Sequence, residues 1–293
     1  MAQPGLKRPH ARALALVPGA GEQGSGVRAL CGLDGGSVND LWRVDTVAGC
    51  FLLRQDGEAW RRPGVDRDHE GVAHAAAAAA GIAPRILART DSGDVLVTEF
   101  IHGRVWTAAD FEQVAQRERL CALLGRVHGL CPPAIANWTF APLRLAEGYA
   151  RRAEHAAAAA GLLELARDAT RRLLDASTRR VLTHGDPLAG NIIDGDGRLW
   201  LIDWEFTQCA DPVWDLAAFA VEYPAAAADL PRCAAAAGID GERLDGRLDA
   251  ALTLHRALGV LWYMARGEAP PAALASWAGS GQTTPPRDGA RKS

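Results

Sequence analysis

Lysine is nearly missing from this 293-residue chain: Lys7 and Lys292 are the only two, and both stand near its ends. Any cation that holds an anionic ligand inside the fold is therefore an arginine or a set of backbone N–H groups. Patterned cysteine is missing as well. Cys31, Cys50, Cys121, Cys131, Cys209 and Cys233 form no C-x-x-C pair and stand at no ligand spacing from a histidine. That excludes a zinc site and a disulfide framework, and free thiols in a reducing cytoplasm are expected. No apolar run reaches the length of a membrane span, the longest being pieces such as "LGVLWYMA". Charge of one sign is absent too: 32 Lys and Arg face 35 Asp and Glu. Nothing global draws the chain to nucleic acid or an acidic membrane, so small molecules are the expected partners. What is present in quantity is apolar surface, 48% of residues, enough for the core of one large domain or two joined lobes.

From Val27 to about Ile101 the pattern is one of short strands. "VRALCGL", "NDLWRVDT", "GCFLLRQ" and "DVLVTEF" are rich in β-branched and aromatic residues, with "DGGS", "VAG" and "DSGD" as turn signals between them. One helix interrupts them, "DRDHEGVAHAAAAAAG", ended by Gly81 with Pro84 just beyond. After Ile101 the pattern turns helical: Thr107 and Asp110 stand at capping-box spacing, and Phe111, Val114, Leu120, Leu124 and Val127 recur at helical intervals. More helices are expected over 143–178 and from Pro212 to about Ala278. The organisation predicted is a disordered tail over 1–24, a β-rich lobe over 25–101, an α-helical lobe over 102–278 and a polar tail over 279–293. In the first tail, Pro18 cuts an apolar run too short for a secretory signal. The fold class is α+β in two lobes, and the cleft between them is where a ligand is expected.

The stretch "THGDPLAGNIIDGDGRLWLIDWE" concentrates the polar chemistry. With Asp196 and Gly197 as the turn of a hairpin, Ile193 faces Trp200 and Asn191 lies opposite Ile202 and Asp203. Asn191 and Asp203 can then share a magnesium ion, which needs only one or two protein oxygens. Asp186, on a loop shaped by Gly185, Pro187 and Gly190, stands where a carboxylate can orient a hydroxyl and accept its proton. His184, Asp186 and Asn191 follow the H-x-D-x-x-x-x-N spacing of the protein-kinase catalytic loop. Arg54 in "FLLRQ", with Glu70 as its ionic partner, is the candidate for holding phosphates. Gly35, Gly36 and Ser37 either bring backbone N–H groups to phosphate oxygens or form only a turn. Asp215 either hydrogen-bonds the loop backbone or complements a helix N-terminus. The five residues between Glu205 and "DPVWDLA" leave no room for an activation segment, which excludes a peptide substrate.

"THGDPLAGN", "LWLIDWEF" and "DPVWDLAAFAVE" resemble the aminoglycoside phosphotransferase and choline kinase superfamily, from about Leu30 to Ala265. "GGSVNDLWRVDT", "FLLRQDGE", "LVTEFIHG" and the arginine in place of a strand lysine are most similar to its choline kinase and thiamine kinase branch. The resemblance implies a protein-kinase-like fold with ATP and Mg2+ as cofactors. It implies Asp186 as catalytic base, Asn191 and Asp203 as magnesium ligands, and Arg54 with Glu70 as the phosphate-holding pair. Thr98, Glu99, Phe100 and Ile101 become the hinge that meets adenine, and Glu222 an acid near the acceptor's cationic head. Glu205, Tyr223, Trp262 and Tyr263 are further acids and aromatic faces for such a cation. The implied activity is phosphorylation of a hydroxyl on a small cationic molecule such as choline, ethanolamine or thiamine. An aminoglycoside acceptor and a catalytically inactive nucleotide-binding scaffold are the alternatives.

Overall fold

The protein is described by a computed structural model over residues 8–33, 39–57 and 65–279. A short helix, α1 (Ala11–Leu14), precedes three strands, β1 (Val27–Gly32), β2 (Asn39–Thr46) and β3 (Gly49–Asp56). Helix α2 (Arg67–Ala79) follows, then β4 (Ile86–Arg89) and β5 (Val95–Glu99). The five strands pair antiparallel in the order β1-β2-β3-β5-β4. Strand β4 was not foreseen, because its four residues are too few to show alternation. Helix α2 starts where Asp66 caps the Asp68 and His69 N–H groups and stops before Gly81, whose φ is +67°.

The period of two along each strand divides this sheet into two faces. Trp42, Val44, Phe51, Leu53, Val95 and Val97 pack on one face against Ala13, Val17 and Ala20. Arg54 lies on the other, between Leu41 and Leu96. The predicted tail is thus corrected for residues 8–24: Ala13 and Ala20 are fully buried. Thr46 Oγ1 donates to Pro18 O at 2.7 Å, and Arg12 pairs with Asp94 at 2.8 Å. A four-residue helix has no periodicity to read and no stability of its own; its tertiary contacts hold it.

The larger lobe continues with β6 (Arg104–Val105), α3 (Ala108–Phe111), α4 (Val114–His128), α5 (Pro142–Ala150) and α6 (Ala156–Ala176). Four short strands come next, β7 (Val181–Thr183), β8 (Ile192–Gly195), β9 (Arg198–Leu201) and β10 (Gln208–Ala210). The chain ends in α7 (Val213–Glu222), α8 (Pro224–Ala227), α9 (Leu230–Ala236), α10 (Leu244–Arg266) and α11 (Ala272–Gly279). The capping box of Thr107 and Asp110 is formed, but the single helix expected beyond it is broken after Phe111. Arg117 Nη1 donates to Phe111 O at 2.6 Å and satisfies the carbonyl that the break exposes. The architecture is the two-lobed, protein-kinase-like α+β fold, a small antiparallel sheet followed by a helical lobe. Helix α2 also rests on the larger lobe, since Arg126 Nη2 donates to Ala80 O and Leu201 N to Ile82 O.

Candidate active site

Strands β8 and β9 form the hairpin that the Asp-Gly turn predicts. Asp196 and Gly197 both take positive φ, 54° and 74°, the backbone of a two-residue turn between Gly195 and Arg198. Ile193 pairs with Trp200, and Ile202 N donates to Asn191 O at 3.0 Å, so Asn191 and Asp203 meet at the open end. Asn191 Nδ2 donates to Asp186 O at 2.9 Å and to Asp186 Oδ2 at 2.8 Å. Its amide oxygen remains available as a cation ligand. Asp203 takes a left-handed φ of 62°, and its Oδ1 is enclosed with no hydrogen-bond partner among the described residues. Burial, then the charge of Glu205, pushes its carboxyl up to about 8. An enclosed carboxylate of this kind fits a bound cation. Among the described residues no group of three or more His, Cys, Asp and Glu converges on a metal; an amide oxygen and a carboxylate are the kind of small donor set that magnesium accepts.

The loop that carries Asp186 is held from below. Asp215, fully buried, accepts from His184 N at 3.1 Å and Gly185 N at 2.7 Å, and from His128 Nε2 at 3.0 Å. Burial alone would raise the Asp215 carboxyl, but these hydrogen bonds and the His128 charge hold it below its ordinary value. Of the two readings open for Asp215, the loop-backbone one is formed. His128 has no local sequence signal and was missed. His184 Nε2 bonds Ile202 O at 3.0 Å, tying the loop to the strand that ends in Asp203. Gly185 is required: its φ is +85°, and a Cβ there would collide with the Phe206 carbonyl.

Arg54 and Glu70 form a buried bidentate pair, as their spacing suggested. A second guanidinium joins them. Arg67 donates to Glu70 Oε2 at 2.7 Å, Asp56 Oδ1 at 2.7 Å and Glu205 Oε2 at 3.2 Å, joining the first turn of α2 to the larger lobe. This corrects Glu205, which faces Arg67 and Asn39 rather than an acceptor pocket. At the connection between lobes, Phe100 N donates to Cys50 O, while the Ile101 N–H has no partner among the described residues. Thr98 Oγ1 donates to Glu99 O, and the Glu99 carboxylate accepts from Arg85 N. Gly35, Gly36 and Ser37 lie outside the described residues.

Beside Asp186 opens a cavity of about 320 Å³, lined by Tyr149, Phe206, Gln208 and Trp214 and by Glu222, His255, Trp262 and Tyr263. Glu222 is exposed at its rim, yet loss of solvent to the surrounding walls raises its carboxyl. Tyr223 is not part of this lining: its ring stacks on Phe111 at 3.9 Å and its hydroxyl accepts from Ala189 N at 3.0 Å, supporting the loop from behind. Trp262 lines the cavity but carries Arg266 over its ring at 4.8 Å.

The model of the phosphotransferase enzyme family matches residues 29–274. The chain belongs to that family. Among solved structures, this phosphotransferase is similar to a choline/ethanolamine kinase family protein from Mesorhizobium loti (24% identity, 93% of this chain and 90% of that one, TM-score 0.68). It is also similar to choline kinase LicA from Streptococcus pneumoniae (20% identity, 87% and 93%, TM-score 0.69). A third is an aminoglycoside phosphotransferase in complex with ADP and hygromycin B (17% identity, 86% and 91%, TM-score 0.59). No curated protein matches the sequence. No helix among the described residues of this phosphotransferase is long and apolar enough to cross a membrane.

Two histidines of the phosphotransferase's site make its stability depend on pH. Burial lowers both His184 and His255 from an ordinary 6.5 to about 4. Between those values the unfolded chain binds more protons than the native one, so stability falls as pH drops from about 6.5 toward 4. Each histidine is expected to contribute up to about 3 kcal/mol of that loss. Urea midpoints measured across this interval would show it; a flat profile would mean that the rings are not held neutral.

Proposed function

We propose that the protein is an ATP- and magnesium-dependent kinase that transfers a phosphoryl group to the hydroxyl of a small cationic alcohol, of which choline, ethanolamine and thiamine are examples. The observation that carries this reading is the single mouth shared by Asp186, Asn191 and Asp203, with Arg54 and Glu70 paired in the facing lobe and a cavity on the other side of Asp186. Similarity to nucleotide-bound and choline-kinase structures supports it.

In this scheme Asp186 orients the acceptor hydroxyl and takes its proton as oxygen attacks the γ-phosphorus. Asn191 fixes the Asp186 carboxylate and, with Asp203, holds the magnesium ion, which supplies neutralisation of the phosphate oxygens. Arg54, oriented by Glu70, meets the phosphates, and the unpaired Ile101 N–H and the Glu99 carbonyl face adenine. Glu222 attracts the acceptor's positive charge.

A second reading, an aminoglycoside acceptor, is favoured by the cavity's size. Its 320 Å³ is the room of roughly ten waters, more than choline alone fills. Release of ADP measured with choline, ethanolamine, thiamine, amino sugars and aminoglycosides separates the two. Magnesium-dependent turnover is expected on at least one small amino alcohol, abolished by chelator. Absence of turnover across the panel would refute the kinase reading.

A further inference from the structure

Cation recognition by aromatic faces needs faces that are open. In this cavity the indoles are already engaged. The ring of Trp214 has His255 against it at 3.7 Å and the edge of Phe140 at 5.1 Å. Trp262 carries the Arg266 guanidinium at 4.8 Å and meets Tyr263 edge-on at 4.7 Å. That guanidinium, paired with Glu268 at 2.7 Å, covers one face of the Trp262 indole.

The polar groups tell a different story. His255 Nε2 sits 3.0 Å from the Trp214 carbonyl oxygen, and a carbonyl can only accept, so Nε2 carries the proton. That leaves Nδ1 with a lone pair. It has no partner among the described residues and is not one of the enclosed orphan atoms, so it opens on the cavity that the ring lines. The neutral state follows from the ring's burial. Glu222, at the rim, has no hydrogen bond or ion pair among the described residues. Gln208 already uses its amide oxygen to accept from Ala141 N at 3.3 Å. The uncommitted acceptors, His255 Nδ1 and the Glu222 carboxylate, thus call for a ligand whose nitrogen donates hydrogen bonds, and a quaternary ammonium has none to give.

Resting on the reading of this cavity as the acceptor site, we propose that His255 is a specificity-determining residue. Its Nδ1 accepts a hydrogen bond from the acceptor's ammonium group, so the pocket selects alcohols whose protonated amine, primary, secondary or tertiary, keeps at least one N–H over quaternary ammonium alcohols. Helix α10 presents His255 beside the first turn of α7, whose far end carries Glu222, so the two acceptors stand at different places along the cavity wall.

The test is a methylation series: ethanolamine, N-methylaminoethanol, N,N-dimethylaminoethanol and choline, which differ only in how many N–H groups the nitrogen keeps. With the native protein, kcat/KM is expected to fall about tenfold or more at the last methylation, through KM rather than kcat. His255→Phe keeps a ring against Trp214 but has no acceptor. It is expected to erase that step, with KM for ethanolamine raised about tenfold and kcat nearly kept, while His255→Gln restores part of the discrimination. A thermal melt establishes that each variant is folded, and the native series decides by itself where one is not. Choline turned over as well as dimethylaminoethanol by the native protein overturns the role of His255 while leaving the kinase reading intact. An unchanged last step in folded His255→Phe does the same. Turnover of none of the four overturns the role of His255, and the kinase reading falls with it only where thiamine, amino sugars and aminoglycosides are not turned over either.

Discussion

Asp186→Asn is expected to lower kcat by about 10²- to 10⁴-fold while nucleotide affinity stays within a few-fold. Asparagine keeps the shape and one acceptor oxygen, so what is lost is the ability to take the hydroxyl proton. The Asn191 amide that holds the Asp186 main-chain oxygen at 2.9 Å does not depend on the carboxylate, and the loop should keep its course. Arg54 and Glu70 bond each other within the small lobe and not Asp186, which is why the nucleotide should still bind. The measurements are ADP release at saturating acceptor and calorimetric titration with nucleotide. A variant with kcat within tenfold of the native enzyme would remove Asp186 from the role of base.

Asp215→Ala is expected to cost about 3–5 kcal/mol of stability, because it leaves three buried donors, His128 Nε2 and the His184 and Gly185 N–H groups, without their acceptor. For a chain of this size that is a fall in Tm of roughly 10 °C. Activity should fall with it, since the backbone those two groups anchor leads directly into Asp186. Complementing the N-terminus of α7 would by contrast be worth only about 0.3–1 kcal/mol. Thermal and urea unfolding therefore separate the two contributions: a loss below about 1 kcal/mol would leave only the helix-end interaction.

How much of this was legible follows from how local each cause is. The β8–β9 hairpin could be read because an Asp-Gly turn and an alternating strand pattern fix register within a dozen residues, and register alone brings Asn191 to Asp203. The pairing of Arg54 with Glu70 was legible for a similar reason, a strand followed by a helix. Arg67 was not, because its cross-lobe partner Glu205 is 138 residues away and nothing near it in sequence marks it. Glu205 and Tyr223 carried the right chemistry for an acceptor site, but long-range contacts turn one toward Arg67 and stack the other on Phe111. His128 and the packed segment 8–24 were hidden likewise: their meaning lies wholly in tertiary partners, Asp215 in one case and the sheet of the small lobe in the other.

An arginine where kinases place a lysine also decides how the molecule meets chemical reagents. A guanidinium stays protonated at neutral pH and does not acylate, and the described residues contain no lysine at all. Dyes, cross-linkers and affinity resins that couple through lysine amines find no target among the described residues, those of the cleft included. By the same token, a nucleotide analogue armed to acylate a lysine beside the phosphates would find nothing to label, and its silence would be no sign of an inactive protein.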